Sequence, residues 1–245
     1  MALPRFHVPG PWSPNGPLDL PEEAAHHALR VLRLAPGTAI EVFDGEGAAL
    51  PGVLVASGKR AALEARGEVR RTPLREPRLT LVQGIASGDK MDWIVEKATE
   101  LGVDVVVPLA ARRSVLRLQG ERREKRWRHW QRVAQAACGQ CGRDVLPEIL
   151  APLAMGEWLA RSAAPGLSVV CHPEAEASLL PLLRRATPEA LTLWVGPEGG
   201  WDEEELALAQ RHGVLPVRWG GHVLRTETAG LALAAAGSAV LGWND

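Results

Sequence analysis

Two glycine-bearing turns near the end of the chain carry the residue types best suited to binding chemistry. The first is Leu193-Trp194-Val195-Gly196-Pro197-Glu198-Gly199-Gly200, an apolar run that closes in glycines and leads into Asp202-x-x-Glu205. Glycines after a strand let backbone approach a ligand closely, and ligands favour the carboxyl ends of parallel strands. Asp202 and Glu205 have the spacing of a helix-capping pair. The run contains neither G-x-x-x-x-G-K-[ST] nor G-x-G-x-x-G, which removes the two common phosphate loops. Acidic side chains at Glu198 and across 202–205 would also repel a phosphate. A neutral or cationic ligand suits this turn; a plain strand-to-helix connection is the alternative.

The second turn, Trp219-Gly220-Gly221-His222-Val223-Leu224-Arg225-Thr226-Glu227-Thr228-Ala229, follows one strand later. Val223 and Leu224 could flank a flat ring while neighbouring backbone groups hydrogen-bond its edge. Thr226, Glu227 and Thr228 serve equally well as simple capping of the next helix. His172, closing Val169-Val170-Cys171-His172, either lines the same pocket or is a satisfied strand-end histidine.

A third feature is electrostatic. Between Arg112 and Arg143 there are ten basic side chains against Glu121 and Glu124, about +8 locally in a chain of net charge −1. Because 24 of the 28 basic residues are Arg, placement rather than abundance carries the argument. Trp127 and Trp130 lie in the window and either bury a helix face or stack on unpaired bases. An excess this lopsided favours a polyanionic partner.

The elements that must position these residues fall into two patterns. Strands are expected at Thr38–Phe43, Ala48–Val55 and Ala61–Ala65, after a helix over Pro21–Leu34. Pro73 and Pro77 mark a linker. Beyond Arg78, strands are expected at Leu79–Ile85, Val103–Pro108, Leu167–His172, Leu191–Gly196 and Val214–Trp219. Helices expected at Lys90–Leu101, Glu121–Cys138, Leu153–Arg161, Ala175–Ala186, Asp202–His212 and Thr226–Leu241 alternate with them. That alternation implies an α/β fold with a parallel sheet covered on both faces.

Composition bounds the class. Hydrophobic residues at 46% and charged residues at 23% are ordinary for a globular chain of 245 residues. No apolar run approaches the roughly 20 residues needed to cross a bilayer, and no secretory h-region is visible. Cys138, Cys141 and Cys171 are few and odd in number, which points to a reducing, cytoplasmic setting. Cys138-Gly139-Gln140-Cys141 lacks further zinc ligands at suitable spacing and reads as ordinary thiols near a helix end, with no metal expected.

With Gly196-Pro197-Glu198-Gly199-Gly200 and Val223-Leu224-Arg225-Thr226-Glu227-Thr228-Ala229 in this order, the chain resembles the bacterial 16S ribosomal RNA uridine-N3 methyltransferases of the SPOUT class. Counterparts also run through His27-Ala28-Leu29-Arg30-Val31-Leu32-Arg33, Phe43-Asp44-Gly45 and Gly88-Asp89-Lys90-Met91. They continue in Lys97-Ala98-Thr99-Glu100-Leu101-Gly102-Val103, Gln140-Cys141-Gly142-Arg143 and Pro147-Glu148-Ile149. The resemblance implies a PUA-like RNA-binding β-barrel over 1–73 and a SPOUT methyltransferase domain with a C-terminal trefoil knot over 74–245. It further implies a homodimer, S-adenosyl-L-methionine as cofactor, and the 16S rRNA of the small ribosomal subunit as substrate.

Carried onto these positions, the implied cofactor residues are His172, Leu193, Val195, Gly196 and Gly200, then Trp219, Gly220, Val223, Leu224 and Thr228. Implied RNA contacts are Arg5, Arg30 and Arg33 in the first domain, and Arg112, Arg122, Arg123, Arg126 and Arg143 in the second. Uracil N3–H must lose its proton before it attacks a methyl group. Arg225 is therefore expected to stabilise the anionic ring and Glu198 to accept the proton. Where the family commonly has Leu-Gly-x-Arg before the apolar pair, this chain has Trp219-Gly220-Gly221-His222. Alternatives are an enzyme of the same class acting on ribose 2′-oxygen or tRNA, and a non-catalytic RNA-binding ribosome-assembly factor.

Overall fold

The computed structural model describes residues 3–12, 16–73, 76, 78–161 and 166–243; the expected linker residue Pro77 lies outside them. The chain divides into two compact units, one gathering Met1–Arg75 with Gln135–Leu146, the other Glu76–Ala134 with Pro147–Asp245.

Alternating apolar residues build the first unit. Its elements are β1 (Arg5–His7), β2 (Leu18–Asp19), α1 (Glu22–His26), β3 (Ala39–Phe43), β4 (Ala48–Ser57), β5 (Arg60–Ala65) and β6 (Arg70–Arg71). The sheet order is β1-β3-β4-β5-β2, with β6 on β4; β1 runs parallel to β3 and the other pairs are antiparallel. Ile40, Val42, Leu54 and Leu63 are fully buried and share one core with Phe6, Leu20 and Ala28. The helix expected over Pro21–Leu34 is shorter than its pattern. It ends at His26, and the chain widens into a π-helical turn at His27–Val31.

Arg5 belongs to this unit's interior. Its side chain is 7% exposed and ion-paired to Glu41 at 2.7 Å and to Asp144. It also donates to the carbonyls of Cys138 and Arg143. Arg70 pairs with the same two carboxylates at 3.1 Å, and the Thr72 hydroxyl donates to Asp144 at 2.8 Å. A buried guanidinium must be paired to offset its desolvation. Arg5 is therefore a structural ion-pair residue, which corrects its expected place among the RNA contacts.

The second unit alternates as expected: β7 (Leu79–Gly84), α2 (Lys90–Glu100), β8 (Val105–Leu109), α3 (Gly120–Cys141), β9 (Glu148–Ile149) and α4 (Met155–Arg161). It continues with β10 (Leu167–Cys171), α5 (Leu179–Ala186), β11 (Leu191–Val195), α6 (Glu203–Arg211), β12 (Leu215–Val217) and α7 (Thr226–Leu241). The last turns of α3 group with the first unit. The sheet runs β12-β10-β11-β7-β8-β9 and every pairing is parallel. Strands covered on both faces read as continuous apolar runs, and β8 is buried at all five positions.

Small residues let α7 lie directly on this sheet. A Cβ on Gly230 would sit 3.0 Å from Leu81 Cδ1, and one on Gly237 would sit 2.9 Å from Leu191 Cδ2. Helix α5 starts at Leu179 rather than at Ala175. The Arg218 amide donates to the Ala177 carbonyl at 2.8 Å and Ser178 bridges Arg218, so strand-like pairing holds this stretch extended against its helical pattern.

The tryptophans of α3 bury a face rather than wait for bases. Trp130 is 1% exposed and donates to Asp92 at 3.0 Å, and Trp127 donates to the Ile149 carbonyl at 2.6 Å. Cys138 packs with Phe43 and Ala49, and burial pushes its thiol up to about 12. All three cysteines are free. Among the described residues no three His, Cys, Asp or Glu side chains gather into a metal-binding group, and no helix is long and apolar enough to cross a membrane.

Candidate functional site

At the carboxyl ends of β10, β11 and β12, the following turns enclose a cleft of about 720 Å³. That is the scale of small-ligand sites. His172, Val195, Gly196, Gly200, Trp219, Gly220, Val223 and Leu224 line it, as do Arg225 and Glu198. Two expected cofactor residues do not. Leu193 is fully buried in β11, and Thr228 lies within the first turn of α7.

Both turns are fastened to the sheet by a residue that the sequence motifs did not single out. Gln83, at the end of β7, is fully buried, and its amide donates to Thr226 Oγ1 at 2.9 Å and to the Gly84 carbonyl at 3.0 Å. The Thr226 hydroxyl in turn donates to the Gly196 carbonyl. One amide thus joins β7, the first glycine turn and the start of α7. Its signal was present as the single amide side chain ending Leu79-Thr80-Leu81-Val82-Gln83. The next residue matters by its smallness: a Cβ on Gly84 would lie 2.5 Å from Pro197 Cδ.

The capping pair forms as its spacing predicts. Asp202 accepts from the Glu204 amide at 3.1 Å, and Glu205 accepts from the Asp202 amide at 3.1 Å. Thr226 does not cap α7: Arg225 is the N-cap residue and makes no side-chain cap bond, while the Thr226 hydroxyl reaches across to the first turn.

One wall of the cleft is anionic. Glu198 accepts from the Ser87 amide at 2.9 Å, the Ser87 hydroxyl at 2.6 Å and Lys90 Nζ at 2.9 Å. Burial pushes the Glu198 carboxyl up, but these hydrogen bonds together outweigh it and hold it at about 2. It is therefore ionised throughout the neutral range. Lys90 Nζ also lies 3.8 Å from Glu227 Oε2, a buried oxygen with no hydrogen-bond partner among the described residues. The sequence motifs give Ser87 and Lys90 no role, and offer Glu227 only that of a helix cap.

The expected RNA-contacting arginines separate into groups. Arg112 is bound to Asp202 at 3.0 Å and Glu204 at 2.5 Å, which ties it to the start of α6. Its neighbour Arg113, which is outside that expected set, donates to the Gly199 carbonyl at 3.2 Å. On α3, Arg122 and Arg126 line a hollow of about 390 Å³ with Lys125, His129 and Arg132, floored by Leu116 and Leu118. Arg123 is exposed on the same helix. Arg30, Arg33 and Arg143 belong to the first unit, where Arg30 and Arg33 are exposed.

A parallel sheet whose glycine turns close a cleft at its carboxyl edge defines an α/β small-ligand-binding protein, and sequence comparison narrows the class to RNA methyltransferases. The sequence model of an RNA methyltransferase domain matches residues 74–238, and that of an RNA methyltransferase PUA domain matches residues 20–63. The ribosomal RNA small subunit methyltransferase E of Mycobacterium bovis is 34% identical over 226 residues, covering 89% of this chain and 85% of the relative. Its Synechocystis counterpart is 33% identical over 209 residues, covering 83% of this chain and 67% of the relative. The crystal structure of the Neisseria gonorrhoeae ribosomal RNA small subunit methyltransferase E, bound to S-adenosyl methionine, matches with a TM-score of 0.86 and 34% identity over 98% of each chain. The chain belongs to the ribosomal RNA small subunit methyltransferase E family.

Proposed function

We propose that this protein transfers a methyl group from S-adenosyl-L-methionine to N3 of a uridine in the 16S rRNA of the small ribosomal subunit. The observation that carries this reading is the chemistry of the cleft wall. Glu198 and Glu227 set two carboxyl groups against the single ammonium of Lys90, and Glu227 Oε2 is buried with no hydrogen-bond donor among the described residues, so the wall suits a further cationic group. Val223, 76% exposed, and Leu224 offer apolar faces to a flat base, and Gly196, Gly200 and Gly220 present backbone to its edge. A sulfonium-bearing amino acid joined to adenosine has this combination of groups. A nucleoside polyphosphate does not.

When bound, the cofactor supplies a sulfonium-activated methyl group. The chain's residues must then bring uracil N3 in line and favour its anionic form. Arg225 stands at the N-terminus of α7, where its guanidinium and the helix dipole both place positive charge at the cleft. Glu198 is the proton acceptor expected from the sequence. A carboxylate held at about 2 is weakly basic, so acceptance competes with its anchoring of Lys90, and substitution separates the two roles.

RNA is held, in this reading, by the α3 arginines around the basic hollow, with Arg143 contributing, and by Arg30 and Arg33 of the first domain; Arg112 is engaged by Asp202 and Glu204 instead. The reading also takes residues 1–73 as a PUA-like β-barrel and 74–245 as a SPOUT domain with a trefoil knot, in a cytoplasmic homodimer. The test is nucleoside analysis of small subunits, or their naked RNA, after incubation with the protein and methyl-labelled cofactor. Labelled 3-methyluridine is expected. Label in a 2′-O-methyl nucleoside, or none despite measurable cofactor binding, overturns the proposal.

A further inference from the structure

The π-helical turn at His27–Val31 is followed by Leu32 and then by Arg33 at φ +51. The Leu32 amide donates to the His27 carbonyl and the Leu34 amide to the Ala28 carbonyl, each at 2.9 Å. The turn therefore wraps around fully buried Ala28, while Leu29 and Leu34 pack against the core of the first unit. The outer side is different. Val31 is 61% exposed and Leu32 45% exposed, and Arg30 and Arg33 on either side are exposed as well. Among the described residues these two form the one adjacent pair of large, exposed apolar side chains.

Two features of this turn run against local preference. A π-helical turn is rare and is frequently found at functional sites. The left-handed position that ends a helix ordinarily takes glycine, because a Cβ is crowded there. Here it carries a long cationic side chain. Observed strain of this kind is a pointer to function. What the strain achieves is visible in the exposure: it projects cation, apolar, apolar, cation as one short tip.

We propose that Arg30-Val31-Leu32-Arg33 is an RNA-contacting tip in which Val31 and Leu32 pack on an unstacked base while Arg30 and Arg33 hold the flanking phosphates. The proposal rests on the RNA substrate inferred above. The charge order favours this occupant, since a single strand presents an apolar base face bordered by anions on both sides. Proteins that grip the DNA minor groove likewise combine basic side chains with apolar wedges that part stacked bases. Four residues are too small an area for a stable protein partner, which needs about 800 Å² on each side.

The test measures binding of full-length protein to labelled 16S rRNA fragments across a salt series, with cofactor affinity and unfolding temperature as controls. R30Q/R33Q is expected to weaken binding about tenfold at low salt and to reduce the salt slope by about 0.7 for each lost single-strand contact. V31S/L32S is expected to weaken binding about tenfold with an unchanged slope, as loss of base packing requires. R33G relieves the backbone crowding, so it should unfold no earlier than the parent yet bind RNA more weakly. Cofactor affinity should hold in every variant. Unchanged RNA affinity in these variants, with a wild-type protein that binds and methylates, overturns the tip alone. A shift in oligomeric state in V31S/L32S without loss of RNA affinity also overturns it and assigns the surface to a second copy. A wild-type protein that neither binds nor methylates the RNA removes the functional reading along with the tip.

Discussion

The hydroxyl of Thr226 accepts a hydrogen bond from the buried amide of Gln83 at 2.9 Å and donates its own to the carbonyl of Gly196. Three chain segments far apart in sequence are thereby held in one register, and both turns that line the cleft hang from it. Buried polar groups that lose a partner cost about 1–3 kcal/mol each, so this junction is rigid for a physical reason.

Thr226→Val keeps the side-chain shape and removes the hydroxyl. The Gly196 carbonyl then lacks its donor, and the Gln83 amide retains only weaker or nearer acceptors. Urea unfolding should register a loss of about 1–3 kcal/mol. Titration calorimetry should show weaker binding of S-adenosylmethionine, and Thr226→Ser should recover both. Unchanged cofactor affinity in Thr226→Val would mean that the junction does not position the cleft.

Much of this frame is legible in the sequence. The Gly/Ala-rich run Thr226–Leu241 is the observed α7, and the Asp202/Glu205 box caps α6 as its spacing predicts. Local pattern encodes such features because their partners are three or four residues away. Gln83 stands out in the sequence as a lone amide, but its partners are not legible there, because they are set by strand order: β7 lies beside β11, which brings residue 83 next to Gly196. The same limit hid the burial of Arg5, whose partners Glu41 and Asp144 are supplied by distant segments of its unit. The widening after His26 was missed for another reason: a π-helical turn preserves the apolar spacing of an ordinary helix over so short a run.

Gly84→Ala tests the closeness of β7 to the first turn. Its Cβ would meet Pro197 Cδ at 2.5 Å and Pro197 N at 2.6 Å, and neither is the free end of a flexible side chain. The turn must shift, with a stability loss of about 1–3 kcal/mol typical of overpacking. Circular dichroism should remain native in form while calorimetry shows cofactor affinity reduced at least severalfold.

Glu198→Gln should separate anchoring from proton transfer. The carboxyl sits at about 2 in the folded protein against an ordinary value of 4.5, so its ionised form stabilises the fold above that ordinary value. The stability difference between wild type and variant should therefore be full at neutral pH and shrink as pH falls from about 4.5 toward 2. Denaturant midpoints across that range check the sign. Methyl-transfer rates across neutral pH check the chemistry: a variant whose pH–rate profile keeps the wild-type form excludes Glu198 as the proton acceptor.

Replacing Arg122, Arg123 and Arg126 together by Gln should weaken RNA binding and flatten its salt dependence by about 0.7–0.9 per lost phosphate contact. Arg112→Gln is the contrast. Its guanidinium is already held by Asp202 and Glu204, so it should leave the slope nearly unchanged. Equal slopes for wild type and the triple variant would reduce the α3 cluster to a solvated face.

Arg225→Ala bears on the reaction itself. Arg225 makes no cap bond to α7 and lies on the exposed rim of the cleft, so its removal leaves the helix start and the Gln83 junction in place. If the guanidinium stabilises charge that develops on uracil, its loss should lower the methyl-transfer rate by about 10²–10³, as for other preorganised donors. Cofactor affinity should change little, and Arg225→Lys should restore part of the rate because it keeps the charge without the planar fork. Single-turnover transfer measured beside calorimetry decides the matter. A rate loss matched by an equal loss of cofactor affinity would place Arg225 in cofactor binding, and retained turnover would take it out of the chemistry.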